Sequence, residues 1–302
     1  MRPQLRFVFG TDLLLTFMAL IWGVNYSVVK QTLSEMQPLA FNALRFSLAS
    51  ICLFLVLRLL EGGELMDRRS LKQLFILGVV GYGLHQILFI TGIVHITAGL
   101  SALMIATSPV FVIVLNLFTR VEKSSPRILL GIILSLGGVL MLVIGAQPDL
   151  ASTQTFIVGG GLTLLSAICW ATYTVFSKPH LATYSPLRLT TTTMIFGTII
   201  LDIVAIPSLL SQQWRAITPL GWAGLAYSFV FTGVLGYVIW NIGVQRTGPA
   251  RTAVYQNLTP VFAAIVSYLL LGEILSVQQF FGAGMIFAGI YLTKTSPLSM
   301  TT

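Results

Sequence analysis

Aromatic and hydrogen-bonding side chains interrupt otherwise apolar sequence, and their spacing sets what they can do together. Trp22 and Asn25 are three residues apart, as are Tyr82 and His85, and Trp170 and Tyr173; Tyr237 and Asn241 are four apart. At helical pitch each pair shares a face. Gln256 and Asn257 stand side by side in a further apolar stretch, next to Tyr255. These groups do not compose a catalytic set. There is no His-Glu-x-x-His and no Gly-x-Ser-x-Gly, and His85, His95 and His180 are scattered without clustered acids. Cys52 and Cys169 lie inside apolar runs and read as packing residues, pointing neither to a disulfide nor to a metal. The chemistry on offer is noncovalent: aromatic faces for an apolar side chain, amides and hydroxyls for a polar end. No cofactor or metal is expected, and no enzyme.

The elements that carry these residues must be membrane helices. The 302-residue chain is 56% hydrophobic and 9% charged, with mean hydropathy +0.90, against about 25% charged in soluble domains. Apolar runs in lipid must satisfy their own backbone polar groups, so they fold as helices. Polar breaks divide the chain into ten such spans, near 12–33, 38–60, 73–95, 97–119, 127–146, 156–178, 186–206, 219–243, 249–271 and 278–293. The first is long enough to cross a bilayer and lacks a small-residue cleavage site, so it reads as a retained helix.

The net charge of +8 concerns topology, not nucleic acid. With the N-terminus inside, the cytoplasmic face collects Arg2, Arg6, Arg58, Arg68, Arg69, Lys72, Arg120, Lys123, Arg127, Lys178, Arg188, Arg246, Arg251 and Lys294. The other face receives Lys30 and Arg215, and Arg45 falls within a span. This is the positive-inside pattern, with both termini in the cytoplasm.

The chain also repeats itself. Trp22, Lys30 and Pro38 recur as Trp170, Lys178 and Pro186 at an offset of 148. Thr107-Ser-Pro-Val-Phe111 is echoed by Leu258-Thr-Pro-Val-Phe262 at an offset of 151, which Glu122 and Glu273, Gly131 and Gly282, and Gly138 and Gly289 keep. Two repeats follow, 1–147 and 148–302, each with five spans. An odd number of crossings turns the second repeat upside down, an arrangement of secondary transporters that hold substrate near the midplane; an ancestral duplication in a present-day scaffold is the alternative. Gly131, Ser135 and Gly138, with Gly282, Gly284, Ala288 and Gly289, form small-residue faces for packing within the bundle or between protomers. A monomer already holds both repeats.

Trp22-Gly with Lys30, the Pro38…Arg45-Phe46 opening of the second span, Pro109 and Pro260 within spans, and Glu122 and Glu273 after the fourth and ninth resemble the drug/metabolite transporter superfamily. Within it the chain is similar to the ten-helix EamA-type exporters over residues 12 to 293, and most of all to the YddG-type exporters of amino acids, aromatic ones included. The resemblance implies an all-α basket around a central cavity, with spans five and ten peripheral. It implies export of a metabolite from the bacterial cytoplasm across the inner membrane. Two departures stand out: Ala171 replaces the equivalent of Gly23, and Arg45 has Thr193 where a symmetric basic residue would stand.

Polar groups at membrane depth are functional candidates by default. Trp22, Asn25, Tyr82, His85, Trp170, Tyr173, Tyr237, Asn241, Gln256 and Asn257 are therefore expected to line one amphipathic cavity, with Tyr26, Gln86, Trp240 and Tyr255 also near mid-span. The competing reading makes the aromatics an interfacial belt and the amides glue between helices. Pro109 and Pro260 free the carbonyls of Ile105 and Gln256 and are either hinges at the site or tolerated kinks. Arg45 is the one deep basic residue, facing the site or pairing with an acid such as Glu35. The solute is expected to be a small neutral or aromatic amino acid, or a related metabolite, moved by facilitated diffusion or exchange. The alternative is a broad-specificity drug exporter driven by proton antiport. Deep carboxylates are scarce, with Asp12 and Asp202 near span ends and His85 reading as a structural histidine. Substitution of His85 or Asp202 is accordingly expected to leave counterflow and any pH-driven uptake changed in parallel. Selective loss of pH-driven uptake with counterflow intact would contradict the uncoupled mechanism.

Overall fold

The computed structural model describes residues 3–62, 67–96, 98–119, 121, 125–145, 153–271 and 276–295, and the regular elements among them are all helical. The helices are α1 (Pro3–Thr32), α2 (Pro38–Glu61), α3 (Arg68–His95), α4 (Ala98–Ile105 and Ser108–Thr119), α5 (Pro126–Gly145), α6 (Thr153–His180), α7 (Pro186–Ser211), α8 (Pro219–Thr247), α9 (Pro249–Tyr255 and Thr259–Leu271, joined by a 3-10 turn) and α10 (Val277–Lys294). Six of these, α1, α2, α3, α6, α7 and α8, are long and apolar enough to cross a membrane, while Ser108–Thr119 and Pro126–Met141 are shorter apolar segments. The chain is a multi-pass, all-α membrane protein. Glu122 and Glu273, with Arg2, Arg120 and Lys123, lie outside the described residues.

Several helices outrun the apolar spans read from sequence: α3 starts at Arg68, α7 ends at Ser211 and α8 ends at Thr247. Helical bonding continues into polar sequence because the ends are capped. Pro38, Pro186, Pro219 and Pro249 occupy first-turn positions, where no amide hydrogen is needed. Asp67, Ser185, Thr218 and Ser276 accept from backbone N–H groups of the first turns of α3, α7, α8 and α10. Hydrogen bonds from the Ser70 hydroxyl and amide hold the exposed Asp67 carboxyl down at about 2, keeping that cap ionised.

The pairing of helices is simple. α2 lies along α7, α5 along α10, α1 against α8 and α9, and α6 against α3 and α4. Exchanging α1–α5 with α6–α10 maps this set onto itself. Ser50 Oγ and Thr198 Oγ1, 148 residues apart, meet at 3.0 Å where α2 and α7 touch. One end of the bundle gathers Lys294 on Asp12, Arg188 on Glu61 (3.5 Å), Tyr184 on Asp67 (3.1 Å) and Lys178 on the carbonyls of Val244 and Gln245 (3.1 and 2.9 Å); it is called the basic face below. At the opposite face the α1–α2 and α7–α8 turns are tied, Gln37 N to Gln212 Oε1 (2.7 Å) and Thr218 N to Glu35 Oε2 (2.7 Å).

The small-residue faces of α5 and α10 pack on each other within the chain. A Cβ at 289 would stand 2.7 Å from the Ser135 Cβ and 2.9 Å from its amide, and one at 138 would stand 2.9 Å from the Ile286 amide. Backbones this close leave no room for a side chain. Gly284, by contrast, has nothing within 4 Å of a would-be Cβ. Gly289→Val should therefore cost about 1–3 kcal/mol of overpacking strain and lower the unfolding temperature in detergent, while Gly284→Val should leave it unchanged. Equal effects of the two would show that the contact does not hold the pair.

Candidate binding cavity

Seven helices converge on one cavity of about 70 Å³, room for several waters at ~10–15 Å³ each. α1 supplies Trp22, Asn25, Tyr26 and Val29; α2 supplies Arg45; α3 supplies His85, Gln86, Phe89 and Ile93; α4 supplies Ala102, Ile105 and Ala106; α6 supplies Trp170; α8 supplies Thr232 and Tyr237; α9 supplies Gln256, Thr259 and Pro260. The lining of α1, α3 and α4 comes from turns nearest the opposite face: the cavity reaches away from the basic one.

Two local irregularities aim these side chains. α3 contains a π-helical stretch, Val79–Leu84, and α8 another, Ser228–Gly236. Each widens the helix just before the cavity residues His85 and Gln86 or Tyr237, a common setting for functional groups. α4 and α9 break at 106–107 and 256–258, one turn ahead of or at Pro109 and Pro260. Both breaks abut the cavity through Ile105, Ala106, Gln256 and Pro260.

Of the residues expected at the site, Trp22, Asn25, His85, Trp170, Tyr237, Gln256 and Pro260 line the cavity. Tyr82, Tyr173 and Asn241 do not; they form a sealed layer on its basic side. Tyr82 lies 5.1 Å from Tyr173 and 5.0 Å from Tyr237 between ring centroids, and Trp240 lies 5.1 Å from Trp170 and stacks 5.5 Å from Trp22. Asn241 Nδ2 donates to Tyr173 Oη and to Thr190 Oγ1, both at 2.8 Å. Asn257 points elsewhere, giving its amide hydrogen to Ser135 Oγ of α5 at 2.7 Å, and Pro109 is buried but outside the lining. Adjacent residues of a helix point in different directions, so Gln256 reaches the cavity while Asn257 faces α5.

His85 is tied down. Its Nδ1 lies 2.7 Å from Ser166 Oγ and 3.0 Å from Ser166 O, Ser166 Oγ donates to His85 O at 3.0 Å, and the ring stacks 5.2 Å from Trp170. A consistent assignment puts the imidazole hydrogen on Nδ1, donated to Ser166. Asp202 accepts from Ser47 at 2.8 Å where α2 meets α7 and is not part of the cavity.

Sequence reasoning missed Phe89, Thr232 and Thr259. Phe89 follows His85 by one helical turn and could have been read from that spacing. The threonines carry no such signal, since hydroxyls inside helices ordinarily bond to the preceding turn. Here Thr232 Oγ1, Thr259 Oγ1, Gln256 Oε1, Arg45 Nε, Trp22 Nε1 and Trp170 Nε1 are buried without a protein partner. Each such group costs about 1–3 kcal/mol if unpaired. They belong to residues that line one cavity, beside aromatic walls. The arrangement offers apolar walls and polar groups to one enclosed space.

Comparison with known proteins agrees. The EamA-like transporter family matches the chain twice, over residues 10–144 and 157–295. An uncharacterized transporter of Archaeoglobus fulgidus is 28% identical over 90% of this chain and 94% of its own. A probable amino-acid metabolite efflux pump of Escherichia coli is 30% identical over 90% of each chain. A crystal structure at 14% identity shares the fold over 95% of this chain and 98% of that one, with a TM-score of 0.80. The chain belongs to the EamA-like transporter family and is a transporter rather than an enzyme.

Proposed function

We propose that this protein exports a small neutral or aromatic amino acid, or a related metabolite, across the bacterial inner membrane by alternating access. Ten crossings in two oppositely oriented five-helix repeats supply the machinery, with the basic face and both termini in the cytoplasm. The carrying observation is the central cavity itself, aromatic on its walls and bounded by residues several of which keep polar atoms without a protein partner. The double match to one family model and the exchange symmetry of the helix pairs support the two repeats. A relative named as an amino-acid metabolite efflux pump supports the solute class.

The two gates differ in state. On the basic side α6 packs against the last turns of α8 and against α9, with the Tyr82–Tyr173–Asn241 layer above. The equivalent contacts at the other face, α1 against the last turns of α3 and against α4, are sparse among the described residues. The conformation is thus read as outward-facing. Among the described residues no carboxylate lines the cavity, which favours facilitated diffusion or exchange over proton antiport, and the modest volume favours a metabolite over a bulky drug.

Proteoliposomes preloaded with unlabelled neutral amino acids should accumulate a labelled one by counterflow without an imposed ion gradient. Trp170→Ala should cut that rate at least tenfold, the worth of about 1.4 kcal/mol, because it removes a cavity wall. Asn257→Ala should lower stability by about 0.6 kcal/mol yet leave the rate per folded protein near wild type. Wild-type counterflow in Trp170→Ala, or activity only under a proton gradient with bulky cations, would overturn this reading.

A further inference from the structure

Among the described residues Arg45 is the one charged side chain in the cavity wall, and it is only 2% exposed. Glu35, the acid that sequence proximity suggested for it, is engaged instead by the Thr218 amide and hydroxyl at 2.7 and 2.9 Å. The ion pairs that the structure gives lie at the basic face, Arg188 with Glu61 and Lys294 with Asp12. A buried guanidinium without a counter-charge is costly, and lipid-depth cations ordinarily meet a partner.

Its surroundings hold Arg45 in place without neutralising it. Its guanidinium lies 4.6 Å from the Phe46 ring centroid and 5.4 Å from that of Phe41. Nη2 donates to Gln86 Oε1 at 3.1 Å. Gln86 is itself fixed: Asn42 Nδ2 donates to its Oε1 at 3.2 Å, and its Nε2 donates to Tyr237 Oη at 2.8 Å. Nε has no protein partner but is itself covered, so the donors left for a ligand are those of the guanidinium head beside Gln86, whose planar geometry matches a carboxylate.

We infer that Arg45 is the carboxylate anchor of this cavity, so that the transported solute carries a free monocarboxylate docked on the guanidinium beside Gln86, with its apolar part against Trp22 and Trp170. The inference rests on the transporter reading above. A single cation balances one negative charge, so phosphate esters and dicarboxylates fit poorly. Gln256 and Thr259, on the cavity wall where α9 breaks, carry the acceptors that an ammonium group would use. The carboxylate comes either from an amino acid or from a plain carboxylic acid.

The test titrates the full-length protein, purified in nanodiscs, by its tryptophan fluorescence with acid and amide pairs: valine and valinamide, phenylalanine and phenylalaninamide, isobutyrate and isobutyramide. Wild-type protein should bind at least one acid about tenfold or more tighter than its amide, the worth of one charge-assisted hydrogen bond. Preference for valine and preference for isobutyrate both support the anchor; the first assigns the acceptors on α9 to an ammonium, the second leaves them to other groups. Arg45→Gln should erase the acid preference and Arg45→Lys retain part of it. Gln86→Glu, which places a competing carboxylate on the same guanidinium, should abolish it without removing Arg45. Acids binding no tighter than their amides, or a preference that survives in Arg45→Gln, would overturn the anchor. Counterflow separates the two claims: equal transport of acid and amide sinks the anchor and keeps the transporter, whereas acid-selective binding without counterflow keeps the anchor and sinks the carrier assignment for these solutes.

Discussion

Hydrocarbon offers no hydrogen bonds, so a polar group carried to membrane depth must find its partner in protein or in a cavity. This constraint sorts the deep polar residues into two populations. Asn257 with Ser135, Ser50 with Thr198, Ser228 with Asn25 and Asn241 with Tyr173 each bond across a helix contact, although Asn241 Oδ1 and Asn257 Oδ1 keep no partner. The groups left over, on Trp22, Arg45, Trp170, Thr232, Gln256 and Thr259, share the cavity wall. Orphan atoms occur outside the lining too, on Asn116, Ser101, Trp240 and Asn241 among others. What marks the site is the convergence of orphans on one space beside aromatic surface.

The same constraint explains how the helices around the cavity are allowed to be irregular. A broken or π-widened helix exposes backbone groups that lipid would punish, and such backbone is tolerated at depth where it is buried in protein or lines a cavity. The breaks at 106–107 and 256–258 and the wide turns of α3 and α8 all lie against the cavity or the aromatic layer beneath it. The regular helices α5 and α10 pair through glycine at the periphery and take no part in the lining. Irregularity and function therefore occupy the same helices.

Much of this was legible from residue spacing. The helices fell on the apolar runs, with ends carried further by local caps, because hydropathy is a local property. Trp22, Asn25, His85, Trp170, Tyr237 and Gln256 were found because their depth alone makes them exceptional. Tyr82, Tyr173 and Asn241 were equally exceptional by depth, yet they bond to one another, and that depends on how residues 68 and 91 apart in the chain meet. Gln256 and Asn257 are neighbours, and neighbours on a helix point different ways, so depth alone did not say which of the two faces the cavity. Thr232 and Thr259 were invisible because a threonine in a helix looks alike whether or not its hydroxyl is engaged.

The aromatic layer beneath the cavity also bears on how such a seal could be reversible. Each ring pair adds about 0.5–1.5 kcal/mol beyond its buried area, and each hydrogen bond about as much. The rings are held on α1, α3, α6 and α8, four helices that touch both the cavity and the basic face. Parting α6 from α8 would break the Tyr173–Asn241 bond and the Lys178 cap on the end of α8 together, a cost of a few kcal/mol at these values. That is within reach of one well-bound solute combined with new contacts on the far side. The proposed exchange of gates then needs no ion: closing α1 onto α3 and α4 would form in one half the packing that is given up in the other.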